Sequence, residues 1–151
     1  MHEQIFSICG ILAMLGWSGL VFLPHVDLLV RIIARLVIPS LIAVVYVWLM
    51  ATHIGLAPPE GGFDSLASVS ALFTVDALLL AGWIHYLAFD LFVGSWEVEN
   101  ARAERVPHIL VLPCLLGTFM AGPAGLALYL LIRQGVRLTR GKGQDADGVP
   151  A

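Results

Sequence analysis

The stretch 69-VSALFTVDALLLAGWIHYLAFDLFVG-94 decides how this chain is read. It is longer than the roughly 20 apolar residues a helix needs to cross a hydrocarbon core about 30 Å thick. Yet it carries Asp76, His85 and Asp90. An acid at the centre of such a helix costs about 2.5–3.5 kcal/mol on the insertion scale, so each of these groups needs a purpose. At about 100° per residue, Asp76, Leu80, Trp83, Leu87, Asp90 and Gly94 fall near one line. His85 points roughly 140° away from Asp90, with Leu78, Phe89 and Phe92. A helix with two polar faces needs neighbours on both, or a cavity on one.

Working outward, three more apolar runs appear, at about 5–23, 36–56 and 109–132. The leader MHEQ has no basic region and no small-x-small cleavage site follows, so the first run reads as a retained helix and not as a signal peptide. Hydrophobic residues make up 59% of the chain and charged residues 13%, with a mean hydropathy of +0.90. A soluble domain carries about 25% charged residues, so water is not the only solvent here. The expected fold is all-α: one integral membrane four-helix bundle over residues 1–140, spanning at 5–23, 36–56, 69–94 and 109–132, with a disordered tail at 141–151.

Segment 57–68 is rich in Pro, Gly and acid and reads as a surface loop; 95–107 is charged and reads as interfacial. Asp27, Arg31 and Arg35 recur at i, i+4, i+8, which stacks them on one face of a helical extension at headgroup level. With four crossings, Arg31, Arg35, Arg102 and Arg105 lie on one side and Arg133, Arg137, Arg140 and Lys142 on the other. That tie leaves the positive-inside rule undecided, with a slight lean to a cytoplasmic C-terminus.

Composition also excludes classes. Net charge is −3 with eight Lys and Arg, so no basic surface exists for nucleic acid. Cys9 and Cys114 lie in apolar runs and read as small hydrophobes. No two of the five histidines sit at i, i+3 or i+4, which argues against a clustered metal site; a haem between two histidines is a minor alternative. In the fourth run, Gly117, Ala121 and Gly125 form a small-xxx-small ridge that admits another backbone. Pro113 and Pro123 are expected to kink it.

His108 returns to the leaflet half that holds His85 and Asp90. A cluster of His85, Asp90 and His108 is therefore a geometric possibility, with Glu97, Glu99 and Arg102 at its rim. An acid beside a neutral imidazole suits proton transfer. The plainer reading is that these groups only satisfy neighbouring helices and the carbonyls that Pro113 frees.

The strings WIHYLAFDLFVGSW (83–96) and LPCLLGTFMAGPAGLALYLL (112–131), with Arg102, His108 and Arg133, resemble the abscisic-acid-deficient-four-like family of small membrane proteins. The resemblance is strongest over about 70–135. Plant members of that family are plastid proteins needed to make neoxanthin from violaxanthin, so the resemblance implies a carotenoid- or isoprenoid-modifying role. Opening an epoxide to an allene is redox-neutral and needs no cofactor and no metal, only an acid and a base. On this reading Asp90 is the acid and His85 or His108 the base, His108 being the better partner. Trp83, Phe89, Phe92, Arg102 and Phe119 would contact the substrate.

The chain starts directly into its first span, without a Ser/Arg-rich transit segment. The expected place is therefore a bacterial cytoplasmic (inner) membrane, with membrane lipid, a carotenoid or polyisoprenoid, and a second copy or partner enzyme as company. The rival functions are a carotenoid- or lipid-binding or assembly protein without chemistry and, more distantly, a small transporter with Asp76 and Asp90 as relay points.

Overall fold

The computed structural model describes residues 1–146, and side chains through Arg140. Helix α1 is His2–Phe22 and ends before Pro24. A π-helical stretch, Leu28–Val37, runs unbroken into α2, Ile38–His53, and a 3-10 turn, Ile54–Leu56, closes it. The register changes just ahead of Pro39, whose ring nitrogen cannot donate to the preceding turn. Then come α3 (Leu66–Leu72), α4 (Asp76–Ala103), α5 (His108–Ala121) and α6 (Pro123–Ala146). Of the expected disordered tail, 141–146 continue α6, and 147–151 lie outside the described residues.

Three helices are long and apolar enough to cross a membrane: His2–Phe22, Leu28–Leu56 and Asp76–Ala103. Two expected spans are corrected. The third does not begin at Val69. Ser65 caps α3 by accepting the Ser68 N–H at 3.1 Å, and Val75 is extended, so a new helix starts at Asp76. Asp76 is therefore a first-turn acid, where an N-terminus favours negative charge, and not an acid within a span. At its other end α4 absorbs most of segment 95–107 and stops at Ala103.

The fourth span is not one helix. It breaks at Gly122, which has φ +28°, a left-handed value that suits glycine, and Pro123 opens α6. Pro123 thus starts a helix instead of kinking one, while Pro113 stays inside α5. Past the break the chain turns back. Tyr129 donates to Asn100 Oδ1 at 2.7 Å, Arg137 pairs with Glu104, and Arg140 reaches the Glu104 carbonyl at 2.7 Å. So α6 returns to the junction where α5 began. The backbone that the small-residue ridge admits is the chain's own: a Cβ on Gly117 would lie 2.9 Å from Gly125 Cα. At 1.5 Å per residue α5 is only about 21 Å long, short of the roughly 30 Å of a hydrocarbon core, and the pair forms a hairpin. The expected four-helix bundle is three long helices plus this hairpin.

The central helix is α4. Leu91 fits against Gly16, where a Cβ would meet it at 2.7 Å, and Trp17 fits against Gly94 at 2.6 Å. Small residues are thus the seats that let α1 and α4 close on each other. The outward faces carry large apolar side chains, among them Phe22, Val44, Ile109 and Leu131, each more than two-thirds exposed. Hydrocarbon, not water, is the solvent such a surface matches.

Candidate functional site

The hairpin lies on the face of α4 that carries Tyr86, Asp90 and Glu97, and their contacts form a buried polar seam. Tyr86 donates to the Phe119 carbonyl at 2.5 Å, just before the Gly122 turn. The Asp90 carboxylate sits beneath that turn, and a Cβ on Gly122 would lie 2.7 Å from its Oδ1. Seven residues on, Glu97 is fully buried and accepts from Thr118 Oγ1 at 2.8 Å. Asn100 follows, bonded to Tyr129 and to Arg133. Asp90 Oδ2, Glu97 Oε2 and Arg133 Nε are buried without a hydrogen-bond partner, so the seam has unused polar capacity.

Beyond the seam the charges are half-buried to exposed, and several are paired. Glu99 holds both Arg31 and Arg35, and Arg102 holds Asp27 at 2.7 Å. The extension expected to stack Asp27 with Arg31 and Arg35 therefore sends all three to α4. A hydrogen bond and the charge of Arg102 hold the Asp27 carboxyl below its ordinary value. The same effects from Arg137 lower Glu104.

The predicted site residues divide between faces. His85 lies on the α2 side of α4, stacked on Phe89 at 4.5 Å and tilted against Tyr46. Phe92 is on that side too, under the Arg35 guanidinium. His108 opens α5, and its Nε2 lies 3.1 Å from the Val21 carbonyl. Asp90 instead meets the far end of that hairpin arm, about 20 Å away. The cluster of His85, Asp90 and His108 is not formed: the first points to another helix, and the run of α4 on to Ala103 sets His108 about 20 Å along from Asp90.

On the α1 side, two cavities lie along α1 and a third lies just past its end. The first, about 380 Å³, has Phe6, Asp76 and Trp83 in its wall, with Phe6 stacked on Trp83. The second, also about 380 Å³, lies between α1 and α5 and is lined by Met14, Trp17, Leu115 and Phe119. The third, about 430 Å³, holds His25, Arg102, Arg105 and His108. Glu3, Phe6, Gly10, Met14, Trp17 and Val21, spaced at three and four, run the length of α1 beside them. Of the predicted residues, Trp83, Phe119, Arg102 and His108 belong to this side.

A carbonyl only accepts, so the hydrogen bond to Val21 is donated by His108 Nε2, and Nδ1 has no hydrogen-bond partner among the described residues. His25, which the sequence reading passed over, lines the same cavity. Also missed were Tyr86 and Asn100, whose only signal was the α4 spacing, and Thr118 and Tyr129, which the hairpin brings to Glu97 and Asn100. Among the described residues no three of His, Cys, Asp and Glu gather to hold a metal ion.

No curated protein matches this chain, and no solved structure does. Residues 4–129 match the profile of the ABA DEFICIENT 4-like family, which extends the likeness through the first half of the chain. That match, over most of the length, places the chain in the ABA DEFICIENT 4-like family.

Proposed function

We propose that this protein lies in a membrane and isomerises a carotenoid or a polyisoprenoid of like shape, using its own acid and base. Family membership supports a carotenoid-related role. It points to carotenoid-bearing membranes such as those of plastids, and not to a bacterial cytoplasmic membrane in particular. The groove beside α1 suits such a substrate. Twenty-one residues of helix measure about 30 Å, close to the hydrocarbon thickness and to the length of a carotenoid rod. An end ring would then lie in the cavity of His25, His108, Arg102 and Arg105.

The observation that carries the proposal is that His108, held by its Nε2 to the Val21 carbonyl, lines a cavity it shares with a second imidazole. Opening an epoxide to an allenic alcohol puts a proton on the epoxide oxygen and takes one from the adjoining polyene carbon. No electrons are gained or lost. In this reading His25 donates and His108 Nδ1 accepts, while Arg102 and Arg105 receive the new hydroxyl. Asp90, near Tyr86 and beneath the Gly122 turn, would be the acid if the chemistry fell on the polyene and not on the ring.

The test is product formation from epoxy-carotenoids by the purified protein in lipid, followed by chromatography. His108→Gln and His25→Gln are expected to lower turnover 10²–10⁴-fold, the usual worth of general acid–base groups. Loss in Asp90→Asn alone would move the chemistry to the polyene centre. A pigment that copurifies and never changes, in all variants and the wild type alike, would make this a binding protein and end the catalytic reading.

A further inference from the structure

The other side of α4 carries a groove that the reading above does not use. His85 and Tyr46 line a cavity of about 260 Å³ between α2, α3 and α4. Their rings are 5.7 Å apart. Phe73, at the end of α3, closes over it by resting on Gly82, where a Cβ would come within 3.0 Å of the Phe73 ring. The remaining wall is hydrocarbon, including Met50, Leu72 and Leu78. Neither the His85 imidazole nor the Tyr46 hydroxyl hydrogen-bonds to any described residue. In water that is ordinary. In lipid, polar groups without partners are costly, and something must satisfy them.

The cavity does not stand alone. Leu78, Gly82, His85, Phe89 and Phe92 make one stripe of α4. Along that stripe a second cavity, about 330 Å³, runs past Phe89 and Phe92 towards Arg35. The stacked pair His85–Phe89 is the step between the two.

We propose that this face is a second ligand site, for a lipid with a flat, oxygen-bearing ring and a long apolar tail. The first cavity is smaller than pockets that enclose a whole ligand, so it takes a ring and sends the remainder along the stripe. Tyr46 and Phe73 offer faces and edges to a flat ring. His85 and Tyr46 offer hydrogen bonds to a carbonyl or hydroxyl on it. Phe89 and Phe92 receive the tail. An isoprenoid quinone head and an oxygenated ionone ring share this chemistry. The site rests on the chain lying in lipid and not on the chemistry at His25 and His108, which occupy the opposite side of α4.

The experiment uses the full chain in phosphatidylcholine nanodiscs, with nitrogen-15-labelled histidine. A decyl-substituted benzoquinone and 3-hydroxy-β-ionone are titrated in separately. A saturable shift of the His85 ring resonances by either probe is expected, and the tighter probe identifies the source of the ring. His85→Phe keeps the stacking and removes the hydrogen bond; Met50→Trp fills the cavity. Both should weaken binding at least tenfold, read in His85→Phe by equilibrium dialysis, with the His108 resonance unmoved as a check on folding. No response of His85 to either probe at saturation, or wild-type affinity in either variant, overturns the proposal. Such a failure leaves the reading of the His25–His108 cavity standing, because that is judged by product formation.

Discussion

Gly122 and Asp90 occupy each other's only available space: a methyl group on the glycine would come within 2.7 Å of Asp90 Oδ1. The turn has φ +28°, so a side chain there is disfavoured by the backbone as well as by the acid. Gly122→Ala should therefore destabilise the protein by about 1–3 kcal/mol. Adding Asp90→Ala to it should recover only the part due to crowding. Thermal unfolding of the single and double variants in detergent checks both statements. Equal stability of Gly122→Ala and wild type would mean that the turn is not built this way.

Thr118 and Glu97 form the buried hydrogen bond that fastens α5 to α4. Thr118→Val keeps the shape and removes the donor, leaving both Glu97 oxygens without a partner. A loss of about 1–3 kcal/mol is expected from that orphaned group. Glu97→Gln retains an acceptor for the Thr118 hydroxyl and should cost less than Thr118→Val. Unfolding midpoints in one detergent would rank the two, and the reverse order would count against the seam.

Acid should loosen the charged end of the molecule. Glu104 is lowered from its ordinary value by its hydrogen bond to Arg137 and by nearby cations, and Asp27 by Arg102. A carboxylate whose folded value is depressed adds stability above its unfolded value, about 4, and that stability goes as pH falls through the lower folded value. The unfolding midpoint should thus fall between about pH 4 and the depressed values. Glu104→Gln and Asp27→Asn should each be less stable at neutral pH and show a flatter acid limb. Both groups are exposed, so the effect is modest and shrinks with salt.

Much of this architecture was written in the pattern of apolar runs, because crossing a bilayer demands length and little else. The two faces of α4 were also legible: helical periodicity alone puts Asp90 and His85 on different sides, and they do meet different helices. What periodicity lacks is the direction of the chain after a break. Segment 109–132 is apolar throughout, so nothing in its hydropathy separates one crossing from a hairpin. The decision rests on one glycine followed by one proline. With α4 expected to end at Gly94 and not Ala103, His108 is drawn towards Asp90, when it belongs with His25 past the end of α1. Glu97 was assigned to a polar rim, since a charged neighbourhood in sequence says nothing about the threonine that α5 brings over it.

In a membrane, as proposed, the hairpin changes a count. A chain that crosses three times and then dips partway would return to the side it last reached, with its two ends in different compartments. The amino terminus, Glu60 and Asp64 would share one side, without Lys or Arg, and the eight cations from Arg31 to Lys142 the other. An even division would become eight against none, and the positive-inside rule would then put the carboxyl end in the compartment where the chain is made. Single cysteines at Ser65 and Thr139, in a chain whose own two cysteines are replaced, should react with an impermeant thiol reagent from opposite faces of a sealed vesicle. Reaction of both from one face would restore the fourth crossing.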